Sequence, residues 1–591
     1  MGSPITASIA TQSRQLIGYW GYGNPAIFAQ QLHAIIQQFS PDEWVIQADC
    51  ANQDIRVAIS ASGLYGVGQS PETQLADVWV QLQEQQLRLE RNLFGRVTLY
   101  WTQIEQVIWF ATRLQLLLPL LTVPEVSIPG LYGYSCFSYV PTPLTPIANL
   151  VAIPAGTEQV WQRHELAGRL SALPVTQSCE WRESSEQIHD EAAAIADLQT
   201  LLRTAVERQL TDIQDQPVGV FLSGGLDSSI VAALLVQMGV NVYAYTLDFG
   251  TAGTPEYPYA EQVAQHLQIP LIKVDATPRR VQQALESATL ALDLPFGDAV
   301  TVPLFLLNQA ASQDTAIVFN GEGGDQLFAG WTNKPLIAAS IYRQEILADP
   351  ALFANQYLQT FHRLWGYEIE VFQPRVYEQI QSIQPQAWLQ EALDPTCTRS
   401  LLHQLRRATL MLKGAQNIQP RATNLAFAQG LWVRSPFCDP SLAAWTFQLS
   451  GELCLKGACE KYILKRAVES WLPTEIVWRQ KRGMGVPTTS WCLQEWWRAL
   501  GQWLNPAVLQ AEGIWQADLA ERVISGKLGG AIQGRRIGEI LWLLITWQTW
   551  RSQVLGETVR PTSWEHPFWL PPWVWHLRSI SNFLFNNNYE V

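Results

Sequence analysis

At 591 residues the chain has length for about two to four domains and can bury a large core. Hydrophobic residues make up 48% and charged residues only 15%, which excludes a disordered chain. The net charge of −13 argues against a nucleic-acid partner, which would need a basic surface.

Residues 1–165 alternate short apolar runs with turns, the pattern of an α+β sandwich. Residues 166–192 are polar and read as a linker and the first helix of a second domain. From Pro217 to Trp331, strands alternate with helices. The predicted strands are Val218–Leu222, Val242–Leu247, Leu271–Val274 and Ala316–Asn320, separated by helices near 228–238, 258–268 and 279–292. That order makes a doubly wound parallel sheet. From about residue 335 long helical periodicities dominate, and no repeat or low-complexity tract occurs. The expected domains are residues 1–190 and 191–591. Eight cysteines lack CxxC spacing and a His cluster, so no zinc site is expected. The start, Met1 to Ala10, lacks the pattern of a signal peptide, and no apolar stretch is long enough to span a bilayer. A soluble cytoplasmic protein with reduced thiols is expected.

The strongest local signal is Phe221-Leu222-Ser223-Gly224-Gly225-Leu226-Asp227-Ser228-Ser229-Ile230. A buried strand precedes it, and Ile230 to Met238 reads as a helix stopped by Gly239. A strand, a glycine turn and a helix N-terminus make an anion site. Gly224 and Gly225 let the backbone approach a phosphate, while Ser223, Ser228 and Ser229 add hydroxyls. Asp227 would place a carboxylate beside the phosphates, suited to Mg²⁺. There is no Walker A lysine. The string resembles the SGGxDS pyrophosphatase loop of enzymes that split ATP between the α- and β-phosphates; the ordinary alternative is a Gly-Ser turn before a helix.

A second acidic glycine turn, Gly321-Glu322-Gly323-Gly324-Asp325, follows the strand ending at Asn320. Ligands collect at the carboxyl ends of strands in such sheets, so Asp227 and Asp325 could share a metal. A third segment holds Lys461, Lys465, Arg479 and Lys481 near glycine and proline turns. Lys461 and Lys465, one helical turn apart, read more readily as a solvated face. Lys481, in a Gly-flanked turn, is the better partner for departing pyrophosphate.

The three segments, in this order, resemble the synthetase domain of the asparagine synthetase family. Its PFLD-like element is matched by Pro436-Phe437-Cys438-Asp439, and its R-x-K by Arg479-Gln480-Lys481. Upstream, Arg91-Asn92-Leu93-Phe94-Gly95-Arg96 resembles the RDxxG run of the family's glutaminase domain, and Ile147 to Gly156 resembles that domain's end. The resemblance implies an Ntn-hydrolase-like first domain and a pyrophosphatase-loop second domain with a helical C-terminal part. It implies ATP and Mg²⁺, with Leu222 to Ser229, Leu247 and Gly321 to Asp325 around the nucleotide, Asp227 and Asp325 on the metal, and Lys481, Asp227 and Glu322 as catalytic groups.

Three departures matter. Gly2 stands where the family's glutaminases carry a nucleophilic Cys. Ile59 to Gly66 stands where an NGEIYN element belongs. Trp432 replaces a Glu that works near aspartyl-adenylate. The resemblance therefore points to the branch that has lost the glutaminase, lasso-peptide cyclases and β-lactam synthetases. It implies adenylation of a peptide or small carboxylate and attack by an amine of the same substrate, with a leader-binding protein and a leader protease as companions. The alternatives are an asparagine synthetase fed with ammonia and a catalytically inactive binding paralogue. Of 26 tryptophans, Trp496-Trp497 and the late group Trp569, Trp573 and Trp575 read as core or as an apolar peptide groove.

Overall fold

The computed structural model describes residues 7–11, 15–39, 44–47, 55–60, 65–66, 76–83, 85–164, 168–213, 216–250, 253, 256–330, 349–361, 363–526, 528 and 534–558. Gly2, Cys50, Ala61 to Leu64 of the Ile59 to Gly66 stretch and the Trp564 to Val591 run lie outside them.

Period-two patterning organises the first part. Among the described residues, thirteen strands form two antiparallel sheets. In chain order they are β1 (Ala7–Thr11), β2 (Leu16–Gly21), β3 (Trp44–Gln47), β4 (Ile55–Ser60), β5 (Tyr65–Gly66), β6 (Val78–Gln83), β7 (Gln86–Arg91), β8 (Tyr100–Ile104), β9 (Val107–Ala111), β10 (Val151–Ala152), β11 (Thr157–His164), β12 (Arg169–Ala172) and β13 (Thr176–Gln177). One sheet runs β12-β11-β7-β6-β1-β5, with β13 also on β11; the other runs β10-β8-β9-β2-β4-β3. Val80, Leu82, Leu87, Leu89 and Trp161 of the first sheet meet Leu16, Trp20, Val57, Ile108 and Phe110 of the second. This is face-to-face sandwich packing. β2 is buried along its whole length. Its other face, with Tyr19 and Trp109, packs on Leu32, Ile35 and Ile36 of α1 (Pro25–Phe39), and α2 (Ile128–Phe137) joins the same core.

The polar stretch expected as a linker is shorter than predicted, because residues 169–177 extend the first sheet and the next helix, α3 (Glu191–Leu210), starts only after Asp190. Asp190 caps it, accepting from Ala192 N and Ala193 N.

The second sheet system is wholly parallel, in the order β16-β15-β14-β17-β18. Its strands are β14 (Val218–Phe221), β15 (Val242–Asp248), β16 (Leu271–Asp275), β17 (Ile317–Phe319) and β18 (Trp432–Arg434). Helices α4 (Leu226–Gln237) and α5 (Tyr257–Leu267) pack on one face, and α6 (Pro278–Ala291) and α7 (Thr301–Ala311) on the other. The mixed α/β architecture with a parallel sheet agrees with the expectation, and each predicted strand lies within a residue or so of its place. The fifth strand, β18, is an addition. Strand order reverses between β14 and β17, which is where such sheets open a crevice for a ligand.

Two long helical runs occur among the described residues after 349: Gly534–Val554, and a continuous stretch made of Leu401–Thr409, the π-helix Leu410–Ile418 and Gln419–Ala428. Elsewhere the helices are short, and several carry proline in the first turn, at Pro350, Pro374, Pro440 and Pro506. Trp496 and Trp497 belong to the core. Among described residues, no helix is long and apolar enough to cross a membrane.

Candidate functional site

β14 ends at Phe221, and Leu222 N donates to Tyr245 O at 2.9 Å, carrying the extended chain to the carboxyl edge of the sheet. Gly224 then turns it with φ +66°, where a Cβ would lie 2.5 Å from the Tyr259 and Ala260 backbone. Only glycine fits. α4 starts after Gly225 without a side-chain cap, so its first-turn N–H groups face the crevice as anion donors. Ser223 Oγ lies 3.2 Å from Ser228 Oγ. Ser229 Oγ donates to Gly225 O at 2.8 Å. Leu222, Ser223, Gly225, Leu226, Asp227, Ser228 and Leu247 line a cavity of about 960 Å³. Gly224 and Ser229 do not. They shape the turn.

The turn after β17 closes on this loop. A Cβ on Gly321 would sit 2.6 Å from Ser228 N, and one on Gly324 would sit 2.5 Å from Asp227 Cγ. Gly324 thus packs on Asp227 rather than lining the cavity. Gly323, at φ +106°, rests on Phe437 of the PFLD-like element. Ser435 Oγ donates to Asn320 Oδ1 at 2.8 Å, and Glu322 N donates to the same oxygen at 3.1 Å. The PFLD-like element therefore braces the acidic turn from behind.

Lys461 decides the electrostatics. Its Nζ lies 2.5 Å from both Asp227 Oδ2 and Asp325 Oδ1, and its side chain is 4% exposed. Lys481 Nζ reaches Asp325 Oδ2 at 2.7 Å. Burial opposes a charge on Lys461, but the two carboxylates outweigh it and hold the ammonium well above its usual range. Burial opposes ionisation of Asp325 as well, and Lys461 with Lys481 reverses that, holding it well below the carboxylate range. For Asp227 burial wins and pushes the carboxyl up against Lys461. The reading of Lys461 and Lys465 as a solvated face is wrong, since both are buried. Lys461 caps its helix at φ +57°, a left-handed conformation that side-chain spacing does not reveal.

Two further groups face the cavity that the sequence did not single out. Glu256, at the start of α5, is pushed by burial up to about 7, with Lys481 and Arg479 pulling the other way. Across the cavity, Asp298 accepts from Asn417 Nδ2 at 2.6 Å and Arg421 Nη1 at 3.0 Å. Arg363 bridges Asp298 at 3.5 Å and Glu539 at 2.7 Å. Burial opposes ionisation of Asp298, but Lys413, Arg421 and Arg363 hold it well below the usual range. Burial pushes Glu322 up while Arg421 pulls it down. Arg363, Lys413 and Arg421 line this end of the cavity. This end of the cavity suits charged, polar substrate groups. Trp432 is not among the lining residues; its ring packs edge-to-face on Phe427 at 5.5 Å.

A model of the asparagine synthase family matches residues 197–552, more than half of the chain. The chain belongs to the asparagine synthase family. It is 21% identical over 513 residues to the glutamine-hydrolysing asparagine synthetase 1 of Bacillus subtilis, covering 80% of this chain and 77% of that protein. It is 24% identical over 472 residues to a putative glutamine-hydrolysing asparagine synthetase of Mycobacterium bovis, covering 74% of this chain and 69% of that one. Among solved structures, the NH3-dependent NAD synthetase of Campylobacter jejuni shares 14% identity and a TM-score of 0.18, over 34% of this chain and 96% of that one. That likeness is too slight to argue from.

The metal expected on Asp227 and Asp325 can be tested against the donor set. Asp227 Oδ1 is buried and accepts no hydrogen bond. No cluster of three or more His, Cys, Asp or Glu side chains suited to a metal occurs among described residues. Mg²⁺ is commonly held by one or two carboxylates together with substrate phosphates. Asp227 and Asp325 supply carboxylates of that type, with the Lys461 ammonium lying between them.

Proposed function

We propose that this chain is an ATP-dependent carbon–nitrogen ligase that adenylates a carboxylate and then forms an amide. One observation carries the reading: the loop after β14 and the turn after β17, at the switch point of the sheet, share Lys461 between Asp227 and Asp325 in a single cavity. A substrate carboxylate oxygen attacks the α-phosphorus of ATP, the bond to the β-phosphate breaks, and diphosphate leaves. An amine nitrogen then attacks the acyl carbon, loses a proton and displaces AMP. Ser223, Ser228 and the first-turn N–H groups of α4 bind phosphate oxygens. Lys461 and Lys481 offset charge on the leaving diphosphate. Leu247 borders the adenine. Asp227 and Asp325 would hold Mg²⁺, which supplies further neutralisation of the phosphates when bound. Glu322, whose carboxyl is raised, accepts the amine proton.

The finer reading is that acid and amine belong to one short peptide, which closes to a macrolactam as in lasso-peptide cyclases. Gly2, in place of the nucleophilic Cys, and the substitution at Trp432 support it, with residues 1–190 as a glutaminase-like region without glutaminase chemistry. On this reading a leader-binding protein and a protease prepare the peptide. A second reading, asparagine formation from aspartate and ammonia, is favoured by the names of the relatives and by the charged end of the cavity around Asp298 and Arg421. The experiment supplies ATP and Mg²⁺ with either aspartate plus ammonium or a precursor peptide with its protease. AMP with a peptide lighter by one water supports the finer reading, and AMP with asparagine supports the second. ADP as sole nucleotide product overturns the ligase mechanism, and no turnover with any acid leaves the inactive binding paralogue.

A further inference from the structure

Arg91 and Gly95, the residues that carry the RDxxG resemblance, are unused by this chemistry. β7 alternates half-buried and buried positions, which puts Arg91 on the same buried face as Leu87 and Leu89. Its guanidinium donates to Gly95 O at 2.8 Å, Val97 O at 2.9 Å and Ile153 O at 3.0 Å. It also reaches 324 residues along the chain, to Ala415 O at 3.1 Å.

Ala415 lies in a π-helix, Leu410–Ile418. A carbonyl in such a helix is met by the N–H five residues on. Gln419 N meets Gly414 O in this way. The next pair would be residue 420 to Ala415 O, and residue 420 is proline, which has no N–H. Arg91 supplies the missing donor. Gly95, at φ +67°, passes so close that a Cβ would lie 2.6 Å from Ala415 O. A second strut comes from Thr142 N, which donates to Gln416 Oε1 at 3.1 Å. The same turn of π-helix brings Lys413 to the cavity wall and Asn417 to Asp298. π-helical turns are rare and occur frequently at functional sites.

We propose that Arg91 and Gly95 are positioning residues for the charged end of the cavity: they fix the π-helix that carries Lys413 and Asn417, so the N-terminal region serves the ligase mechanically rather than by supplying ammonia. The inference rests on the ligase reading only for what the cavity does. Gly95→Ala is the primary variant, because it leaves Arg91 in place. In the full chain, hydrogen exchange should quicken across residues 410–424 and stay unchanged across 222–237. Binding of α,β-methylene ATP with Mg²⁺ should hold within about twofold, while KM for the acid that supports AMP release rises by roughly tenfold or more, since small misplacements cost that much. Arg91→Met should behave alike. Adding Pro420→Ala gives residue 420 an N–H, and should restore protection and KM in the Arg91→Met background. Unchanged exchange at 410–424, equal loosening at 222–237, or no rescue by Pro420→Ala overturns the proposal. If the native chain releases no AMP with any acid, the ligase reading fails, and exchange and rescue still decide the positioning role.

Discussion

Replacing Glu256 by glutamine should change how stability depends on pH. Burial beside Lys481 and Arg479 leaves the Glu256 carboxyl at about 7, against an ordinary value of 4.5. An acid whose folded pKa lies above its unfolded one makes the folded state the better proton binder. Its contribution is therefore neutral below the unfolded pKa, and stability is lost as pH rises from 4.5 to about 7. At roughly 1.4 kcal/mol per pKa unit, Glu256 costs on the order of 1 kcal/mol at pH 5.5 and on the order of 3 kcal/mol at pH 8. Glu256→Gln removes that cost. The variant should gain about 2 kcal/mol on the native chain between those two pH values, whatever its offset at the first. With an unfolding entropy of about 2.1 cal/mol/K per residue, a chain of 591 residues melting as one unit shows this as about 2 °C in Tm. Scanning fluorimetry of both proteins at pH 5.5 and 8 reads it. A Tm difference that stays constant, or shrinks toward pH 8, refutes the assignment of a buried, uncompensated carboxyl at Glu256.

Asp227→Ala and Asp325→Ala should each cut AMP release by about 10²–10³ with the circular dichroism spectrum unchanged, because each removes a charged group facing the leaving diphosphate; near-normal rates would exclude the site. Lys461→Met should lose about 3–5 kcal/mol in denaturant unfolding near neutral pH, since it strands two buried carboxylates, and should lose more than Lys481→Met. Gly324→Ala should abolish binding of a non-hydrolysable ATP analogue in calorimetry, the new methyl group meeting Asp227, whereas Gly483→Ala, with open space around it, should bind as the native chain does. Glutamate release from glutamine should stay at background, and release that disappears on removal of residues 1–190 would show a working glutaminase.

What the sequence made legible was local. A glycine turn after an apolar strand leaves the same trace wherever it occurs, so the loops at Gly224 and Gly323 were readable, and so was their place at the carboxyl edge. β18 was not readable, because Trp432–Arg434 is three residues long and its pairing with Ile317–Phe319 spans more than a hundred residues. Lys461 was misread, because its burial depends on Asp227, Asp325 and Gly330 arriving from elsewhere. The cluster at Asp298 takes Lys413, Asn417 and Arg421, four residues apart, from one helical run, but Arg363 and Glu539 come from separate elements that no spacing rule joins to it. The long helices expected after residue 335 occur at 401–428 and 534–554, while between them prolines in first turns start shorter ones.

The replacement at Trp432 weighs less than the sequence implied. β18 pairs in parallel with β17, Trp432 opposite Ile317 and Arg434 opposite Phe319. Strand alternation gives Trp432 and Arg434 one face and Val433 the other. The indole lies on Phe427 rather than on the cavity wall, so position 432 contributes packing here. The wall is not short of carboxylates, since Glu322, Asp298 and Glu539 all line it. The loss of a Glu at 432 therefore does not by itself exclude aspartate. On the ligase reading, discrimination between a peptide and a small acid falls to the charged end of the cavity. Arg421 and Asp298 are held there by Asn417, Asn417 by the π-helix, and the π-helix by Arg91. An acid seated on that reading must fit beside Arg363 and Arg421 without breaking that lattice, which places specificity on residues far from the motif that announces the chemistry.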